Sequence, residues 1–209
     1  MGITERRERE KEEVRNKILD AARDLFAREG YEAVTMRRIA EAIEYSPTTI
    51  YNHFEDKDDL VRCLCDGDFG QLLSALQTQP VPADPVVWIR QLGLAYTRFA
   101  LSFPNHYRFM FMTAPDIEVH EDHESFPGHL AFGVLRRAVA GAVEGGRFRA
   151  GSVDTMALHL WIALHGAISL LITMRPEHWP VPVPPDLVEQ VLENSIRGFL
   201  REPPPQEKR

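Results

Sequence analysis

The stretch that most constrains the fold lies between Thr35 and Phe54 and has the sequence TMRRIAEAIEYSPTTIYNHF. It holds two helix start signals in quick succession. The hydroxyl of Thr35 can accept a hydrogen bond from an unpaired N–H of a first helical turn. Ser46 can cap in the same way, and Pro47 suits a first helical position, where a missing N–H costs nothing. The stretch therefore predicts two short helices joined by a tight turn.

The second of these helices is predicted to carry a polar face suited to DNA. Ile50 and Phe54 lie four residues apart and should face the core together. The residues around them present short hydroxyls, an amide, a phenol and an imidazole rather than long charged side chains. Such groups fit base edges in a major groove and nearby phosphate oxygens. The pattern predicts a helix-turn-helix with Ser46–His53 as the recognition helix.

The longer segment from Ile18 to Val61 resembles the DNA-binding domain of the TetR (tetracycline-repressor-like) regulators. The matching pieces are A-x-x-L-F-x-x-x-G-Y, T-x-x-x-I-A and S-x-x-T-I-Y-x-H-F-x-x-K-x-x-L, and they cover roughly the first third of the chain. The family often has Gly-Val before the capping serine, where this chain has Glu44 and Tyr45. A left-handed backbone at Glu44 would cost on the order of 1 kcal/mol relative to glycine.

This resemblance implies an all-α fold of about nine helices, in which an N-terminal three-helix helix-turn-helix head is attached to a larger helical body. We expect residues 1–56 to form the DNA-binding domain and residues 57–209 a helical effector-binding and dimerisation domain. The implied function is that of a homodimeric transcriptional regulator, usually a repressor, released from a palindromic operator by a small effector. The side-chain types of the presumed pocket suggest that this effector is apolar or aromatic. A two-fold dimer would read half-sites about 34–36 Å apart.

The resemblance and the side-chain chemistry together predict the DNA contacts. Pro47 belongs to this surface as the first residue of the recognition helix. Base contacts are expected from three side chains: Thr48, Thr49 and Asn52. Phosphate contacts are expected from polar and basic groups at the edges of the helix-turn-helix: Thr35, Arg38, Ser46, Tyr51, His53 and Lys57.

The bulk charge of the chain gives no sign of DNA binding. The 209 residues carry a net charge of −7, and residues 1–62 hold 12 Lys and Arg against 15 Asp and Glu. The DNA hypothesis therefore rests on where the charges lie. Residues 1–10 are expected to be a solvated, mobile tail before a first helix from about Lys11 to Glu29. The alternative is an arm that places an arginine of this tail in a minor groove: Arg6, Arg7 or Arg9.

Apolar spacing and stop signals predict further helices in the rest of the chain: at about 57–77, 85–102, from 104 onward, 128–144, 153–174 and 185–201. The helix at 57–77 would begin beside the DNA and, at a rise of about 1.5 Å per residue, end roughly 30 Å away. That length makes it a lever between the two predicted sites. The helix at 153–174 is apolar nearly all round, and the helix at 185–201 has a wide apolar stripe. We expect both to pair with their copies in a four-helix dimer interface.

Rings and methionines are concentrated between Phe99 and Met112. They form either ordinary core or a cavity for an apolar ligand. The segment Trp161–Gly166 resembles the W-x-x-L-H-G signature of one class of TetR C-terminal domain, and Pro104–Phe111 is similar to that class too. His165 is either a satisfied core histidine or a ligand contact. The candidate effector-binding residues are Phe99, Phe103, Tyr107, Met110, Phe111, Trp161 and His165.

The predicted location is the cytoplasm. The N-terminus is charged and lacks the apolar run of a signal peptide. The longest apolar stretch, Leu158–Met174, contains two histidines and a serine and is short for a membrane span. Cys63 and Cys65 lie two apart on a predicted helix and point to different faces, so a disulfide between them is not expected. We expect no membrane contact and no cofactor.

Two alternatives to a ligand-responsive regulator remain open. One is an all-α metal-dependent enzyme built on a histidine- and acid-rich loop at 116–124, with His120, His123 and Glu124 as ligands. A solvated loop is the favoured interpretation, since no further ligand motif and no nucleophile–base pair accompanies these residues, and we expect no enzyme activity and no metal site. The other alternative is a constitutive DNA-binding protein with a solid body and no effector.

Overall fold

The computed structural model describes residues 2–115 and 125–201, which form nine α-helices. An isolated antiparallel bridge between Phe148 and Leu200 is the one β contact in this part of the chain. A π-helical turn, Phe109–Thr113, follows α6, and a 3₁₀ turn, Pro176–His178, follows α8. The predicted all-α fold is confirmed. The helices are α1 Ile3–Glu29, α2 Met36–Ala42, α3 Pro47–Tyr51, α4 Lys57–Gln77, α5 Pro85–Ser102, α6 Pro104–Arg108, α7 Pro127–Glu144, α8 Val153–Thr173 and α9 Leu187–Arg197.

Side-chain caps fix the starts of the short helices, as the sequence predicts. The Arg38 amide donates to Thr35 Oγ1 at 3.1 Å at the start of α2. The Thr49 amide donates to Ser46 Oγ at 3.2 Å at the start of α3. Because each cap satisfies an amide that no helical carbonyl reaches, two helices of seven and five residues can begin so close together.

The described chain divides into two compact units. The first comprises residues 2–70 and 103–115, and the second comprises residues 71–102 and 125–201. The division falls within α4 and again between α5 and α6. This division reflects how the helices pack. The expected boundary between residues 56 and 57 separates two functions instead, and it stays a prediction.

The core of the first unit forms where α1, α2, α3 and the start of α4 converge. Ile50 and Phe54 are fully buried there, as their spacing predicts. Phe109, from the π-helical turn, joins this core and stacks on Phe26 with ring centroids 5.7 Å apart. The turn is closed by the Ala114 amide, which donates to the Phe109 carbonyl at 2.9 Å. The chain after α5 therefore returns to pack against the helix-turn-helix core.

The second unit is a bundle of α5, α7, α8 and α9. Helix α5 is closely packed at Gly93, where an added Cβ would come within 2.8 Å of the Leu192 methyls and 3.2 Å of Leu164. A side chain at this position would require the Leu192 side chain to move, so glycine here leaves room for Leu192 to pack against α5.

Helix α1 begins at Ile3, so the expectation of a mobile tail before Lys11 is wrong. The charges that suggested a solvated tail are spaced to support a helix. Arg6 pairs with Glu10 at 2.7 Å, and Arg9 lies 4.0 Å from Glu13, each one turn along. These residues are exposed, as expected, but they lie on a helix that extends beyond the core.

Helix α9 ends at Arg197, four residues before the predicted end. The chain beyond it leaves the helix to make backbone hydrogen bonds. The Arg149 amide donates to the Phe199 carbonyl, and the Arg201 amide donates to the Arg147 carbonyl, both at 2.9 Å. The apolar residues Phe199 and Leu200 continue the helical spacing in sequence but are placed by this pairing instead.

Helix α8 begins at the predicted residue and ends one residue before the predicted end. It begins at Val153, so it has 21 residues, and among the described residues it is the one helix long and apolar enough to cross a membrane, with a mean hydropathy of 1.7. By length and composition a core or interface helix of a soluble protein has the same properties. The whole helix is thus long enough for a span, although the apolar stretch Leu158–Met174 alone is shorter.

Candidate nucleic-acid interface and effector site

The predicted reading surface lies on α3 and the residues beside it. Thr48 and Asn52 are exposed, Thr49 is half-buried, and Tyr51 has 56% of its surface exposed. Ser46 and Pro47 are exposed at the start of the same helix. The structure thus brings the predicted base-contacting side chains together on one surface of the head, where a major groove could reach them.

Lys57 is held in place by Tyr31. Its ammonium donates to the Tyr31 carbonyl at 2.6 Å and lies 3.7 Å from the centroid of the Tyr31 ring. The Tyr31 hydroxyl donates to Asp58 at 2.5 Å, and burial together with this bond raises the pKa of Tyr31 to about 12. A phosphate contact from Lys57 would therefore come from a fixed ammonium at the start of α4.

The arginines of α2 are paired with acids. Arg38 Nη2 lies 3.1 Å from Glu29, and Arg37 Nε lies 3.0 Å from Glu41. Both pairs are substantially exposed, and exposed pairs of this kind contribute little stability. Arg38 can therefore exchange Glu29 for a phosphate at small cost.

His53, at the end of α3, is half-buried. Its carbonyl accepts a hydrogen bond from Arg15 Nη1 at 3.3 Å, while its ring Nδ1 is buried without a hydrogen-bond partner. Burial lowers the pKa of His53, and the charges of Lys11 and Arg15 lower it further, against an opposing effect of Glu12. The imidazole is therefore neutral at neutral pH and retains one N–H to donate.

Arg15 was not singled out from the sequence, although it fixes the end of α3. Its guanidinium lies 4.5 Å from the centroid of the Phe54 ring, and Nη2 donates to Cys63 Sγ at 3.2 Å. These contacts join α1 to the segment after α3. A cation stacked on a ring that lies 39 residues away in sequence leaves no local pattern that could have revealed it.

The turn between α2 and α3 has a left-handed residue. Glu44 has φ of +59°, and it is the one such non-glycine residue in the described chain. The Tyr45 amide closes the turn by donating to the Ala40 carbonyl at 3.0 Å. The chain thus keeps the turn geometry that the expected glycine would adopt and accepts the steric cost of a Cβ there.

A polar group in the second unit joins α5 to α8. The Tyr96 hydroxyl lies 3.2 Å from His165 Nδ1, and Trp161 Nε1 donates to the Tyr96 oxygen at 3.3 Å. Burial lowers the pKa of His165. Phe132 on α7 meets the Trp161 ring edge-on at 6.1 Å. Tyr96 was not among the predicted site residues, because one tyrosine on an apolar helix gives no pattern to distinguish it from core.

The predicted effector-binding residues are divided between the two units. Phe99 is buried in the second unit, which also holds Trp161 and His165. Four lie in the first unit: Phe103, Tyr107, Met110 and Phe111. Tyr107 is fully buried there, with its ring centroid 4.9 Å from that of Phe111, whereas Phe103 is 44% exposed.

The possible metal ligands His120, His123 and Glu124 lie outside the described residues. Within residues 2–115 and 125–201, no group of three or more His, Cys, Asp or Glu side chains is arranged to hold a metal ion. The loop at 116–124 therefore stays an untested part of the sequence interpretation.

Comparison with known proteins identifies both parts of the chain. Residues 18–64 match the family model described as bacterial regulatory proteins, tetR family. Residues 89–195, half of the chain, match the model described as tetracyclin repressor-like, C-terminal domain. The first match includes α3 and its flanking helices, and the second includes the Tyr96–His165 group.

Individual relatives agree with these models. The transcriptional regulator TcmR of Streptomyces glaucescens is 31% identical over 80 residues, which are 38% of this chain and 35% of TcmR. The transcriptional repressor AcnR of Corynebacterium diphtheriae is 40% identical over 58 residues, 28% of this chain and 30% of AcnR. The chain thus aligns with about a third of the length of these curated relatives.

A solved structure resembles nearly the whole chain. AibR in complex with isovaleryl coenzyme A and operator DNA superposes with a TM-score of 0.66, covering 89% of this chain and 97% of that one at 16% identity. At that identity the similarity establishes a common fold.

Proposed function

Because this chain belongs to the TetR family of bacterial regulatory proteins, we propose that it is a transcriptional repressor that leaves its operator when a small effector binds in the body. The observation that carries the proposal is the exposed surface of α3, where hydroxyl, phenol and amide side chains stand on a helix whose other face is buried at Ile50. A helix of this kind can enter a major groove without disturbing the core beneath it.

The proposed assembly is a homodimer through α8 and α9, residues about 153–174 and 185–201. Three large apolar side chains of α8 are about half exposed at four- and eight-residue spacing, namely Leu158, Ile162 and Leu170. Gly166 lies between them on the same stripe, and an added Cβ there would meet nothing within 4 Å. A copy of the same helix fits such a stripe, since exposed apolar patches mark association surfaces and a two-fold axis makes the surface self-complementary.

The proposed effector is small and apolar or aromatic, with a group that can exchange hydrogen bonds with the Tyr96–His165 pair. Support comes from hydrogen-bonding groups that lie among aromatic rings, where a ligand could exchange one of their mutual hydrogen bonds while it contacts the rings. AibR, which shares the fold, binds an acyl coenzyme A together with operator DNA. Assignment to the W-x-x-L-H-G class stays a prediction.

The proposed location is the cytoplasm, with no enzyme activity and no membrane contact. In this proposal the apolar surface of α8 is covered by the partner helix. A constitutive DNA-binding protein is the second candidate, and it differs in one property: no compound would release it from DNA.

The function can be tested by letting the purified protein select duplexes from a random library, then measuring affinity for the enriched duplex by fluorescence anisotropy. We expect a palindromic sequence, binding that weakens with salt, and a preference over unrelated duplex of at least about a thousandfold. Compounds can then be screened for release, with a loss of affinity of about 5–150-fold expected for the effector. Enrichment of no sequence would contradict the proposal, and enrichment without release by any compound would favour the constitutive alternative.

A further inference from the structure

A cleft separates the N-terminal part of α1 from the end of α3. It has a volume of about 350 Å³ and is lined by Glu8, Lys11, Glu12, Arg15, Asn52 and His53. All six residues belong to the first unit. We call it the α1–α3 cleft. It exists because α1 continues as a helix back to Ile3, beyond the core that it supports.

The α1–α3 cleft adjoins the proposed reading surface. Asn52, expected to contact a base, lines it, and Tyr51, expected to contact a phosphate, precedes Asn52. Groove-reading side chains are flanked on each side by the phosphates of the groove walls. Duplex DNA lying on α3 would therefore bring a backbone phosphate to the mouth of this cleft.

Lys11 is the positively charged residue of the α1–α3 cleft that could bind a phosphate. Within the described residues, Lys11 is exposed and makes no ion pair or side-chain hydrogen bond, although Glu8 and Glu12 line the same cleft. Arg15 is different, since its guanidinium is committed to the His53 carbonyl and the Phe54 ring. An unpaired ammonium can bind a phosphate without first breaking an ion pair.

His53 supplies an independent sign of a missing partner. Its Nδ1 atom is buried and makes no hydrogen bond, and buried polar atoms in folded proteins are nearly always paired. Because Nδ1 has almost no accessible surface, the His53 ring must turn before a phosphate oxygen at the cleft can accept from an Nδ1–H group.

We propose that the α1–α3 cleft binds a backbone phosphate of duplex DNA, with Lys11 as its principal contact and His53 as a second donor. The proposal deepens the proposed function and rests on it. It extends the DNA-contacting surface from the helix-turn-helix onto α1. Glu8 and Glu12 oppose a free anion, so the cleft takes a phosphate that α3 presents within a duplex rather than one from solution.

The test compares Lys11→Gln with Lys17→Gln by anisotropy on the selected duplex and an unrelated duplex across a salt series. Lys17 is also exposed on α1, but six residues further on it lies on a different face. For Lys11→Gln we expect roughly fivefold weaker binding to both duplexes and a salt slope smaller by about 0.9, the value for one lost phosphate contact. Lys17→Gln should match the wild type, and Glu12→Gln should bind more tightly.

Two results would overturn the proposal while leaving the proposed function intact. One is Lys11→Gln binding as well as Lys17→Gln, with the same salt slope. The other is release of DNA by potassium phosphate in excess of that by potassium chloride at equal ionic strength, which would make the cleft a site for free anions. If the wild type enriches no duplex at all, both this proposal and the proposed function fail together. Circular dichroism of each variant confirms that the exposed substitutions leave the fold unchanged.

Discussion

Arg23 and Asp68 form a bidentate ion pair inside the first unit. Arg23 Nε lies 2.9 Å from Asp68 Oδ2 and Nη2 lies 2.8 Å from Oδ1, and Asp68 has no exposed surface. Asp20 pairs with the same arginine at 2.7 Å, and His106 Nε2 lies 3.9 Å from the same carboxylate. The pair thus fastens α1 to α4, with α6 beside it.

Replacing Asp68 with Asn should be strongly destabilising. The amide keeps the volume of the carboxylate but leaves the buried Arg23 charge without its main partner. We expect the free energy of unfolding to fall by about 3–5 kcal/mol, measured by urea denaturation followed by circular dichroism. Glu10→Gln is the control, since it breaks the exposed pair with Arg6 and should cost less than about 1 kcal/mol. Equal small losses in the two variants would contradict the expectation.

Replacing Glu44 with Gly should stabilise the protein. The φ of +59° at this position forces a Cβ against the following carbonyl, and glycine removes that contact. We expect a gain of up to about 1 kcal/mol in the free energy of unfolding. Glu41→Gly is the matched control, because it places glycine inside α2, and it should lose about 1 kcal/mol. A loss of stability in both variants would show that the turn carries no strain.

Substitutions on α3 should distinguish the side chains that contact bases from those that contact phosphates. Asn52→Ala should weaken binding to the selected duplex by about 1–3 kcal/mol and relax the preference at one base pair. Tyr51→Ala should weaken binding to all duplexes alike, because a phosphate contact carries no sequence information. Anisotropy on the selected duplex and its single-base variants measures both effects. Full retention of affinity by Tyr51→Ala at moderate salt would refute its phosphate role.

The free energy of unfolding should decrease at acidic pH because of His165. Burial lowers its pKa in the folded protein, so below about pH 6.5 the unfolded chain takes up a proton that the folded protein resists. The stability that neutral His165 contributes is fully present above that pH. It is lost as the pH falls toward the pKa of His165 in the folded protein. His165→Gln should therefore show a shallower decline in unfolding free energy between about pH 7 and 5. A decline in His165→Gln as steep as in the wild type would contradict the expectation.

A charge on the exposed stripe of α8 should dissociate the proposed dimer. Ile162 is 53% exposed at the centre of that stripe, and a Glu in its place would face its own copy across a two-fold axis. Sedimentation velocity should show a dimer for the wild type and a monomer for Ile162→Glu. Val81→Glu, in a loop where the valine is 69% exposed, should leave the dimer intact. A dimeric Ile162→Glu protein would place the interface elsewhere.

Local chemistry made the helix-turn-helix predictable. Thr35 and Ser46 cap because their hydroxyls reach amides three residues on, and that geometry depends on nearby sequence alone. Charge signs alone did not reveal the helical start of α1, because a mixed run such as residues 5–13 suits a solvated tail as well as a helix.

The features that could not be predicted depend on contacts between residues that lie far apart in the sequence. Helix α9 stops where the backbone around Phe199 finds partners near Arg147, some fifty residues earlier in sequence. The polar group of Tyr96, Trp161 and His165 depends on the way α5 packs against α8. Nothing in the periodicity of either helix specifies which faces meet, so the site residue on α5 could not be selected from the sequence.

The π-helical turn Phe109–Thr113 has a consequence for how this chain aligns with its relatives. Such a turn is an α-helix that has accommodated one additional residue as a local widening. A relative with an unwidened helix here would be one residue shorter, and its equivalents of Phe109 and Ala114 would be offset by a single gap. Removing one residue from 110–113 should close the turn into an α-helix with Phe109 still stacked on Phe26. This makes the segment a place where chain length can change by one without a loop.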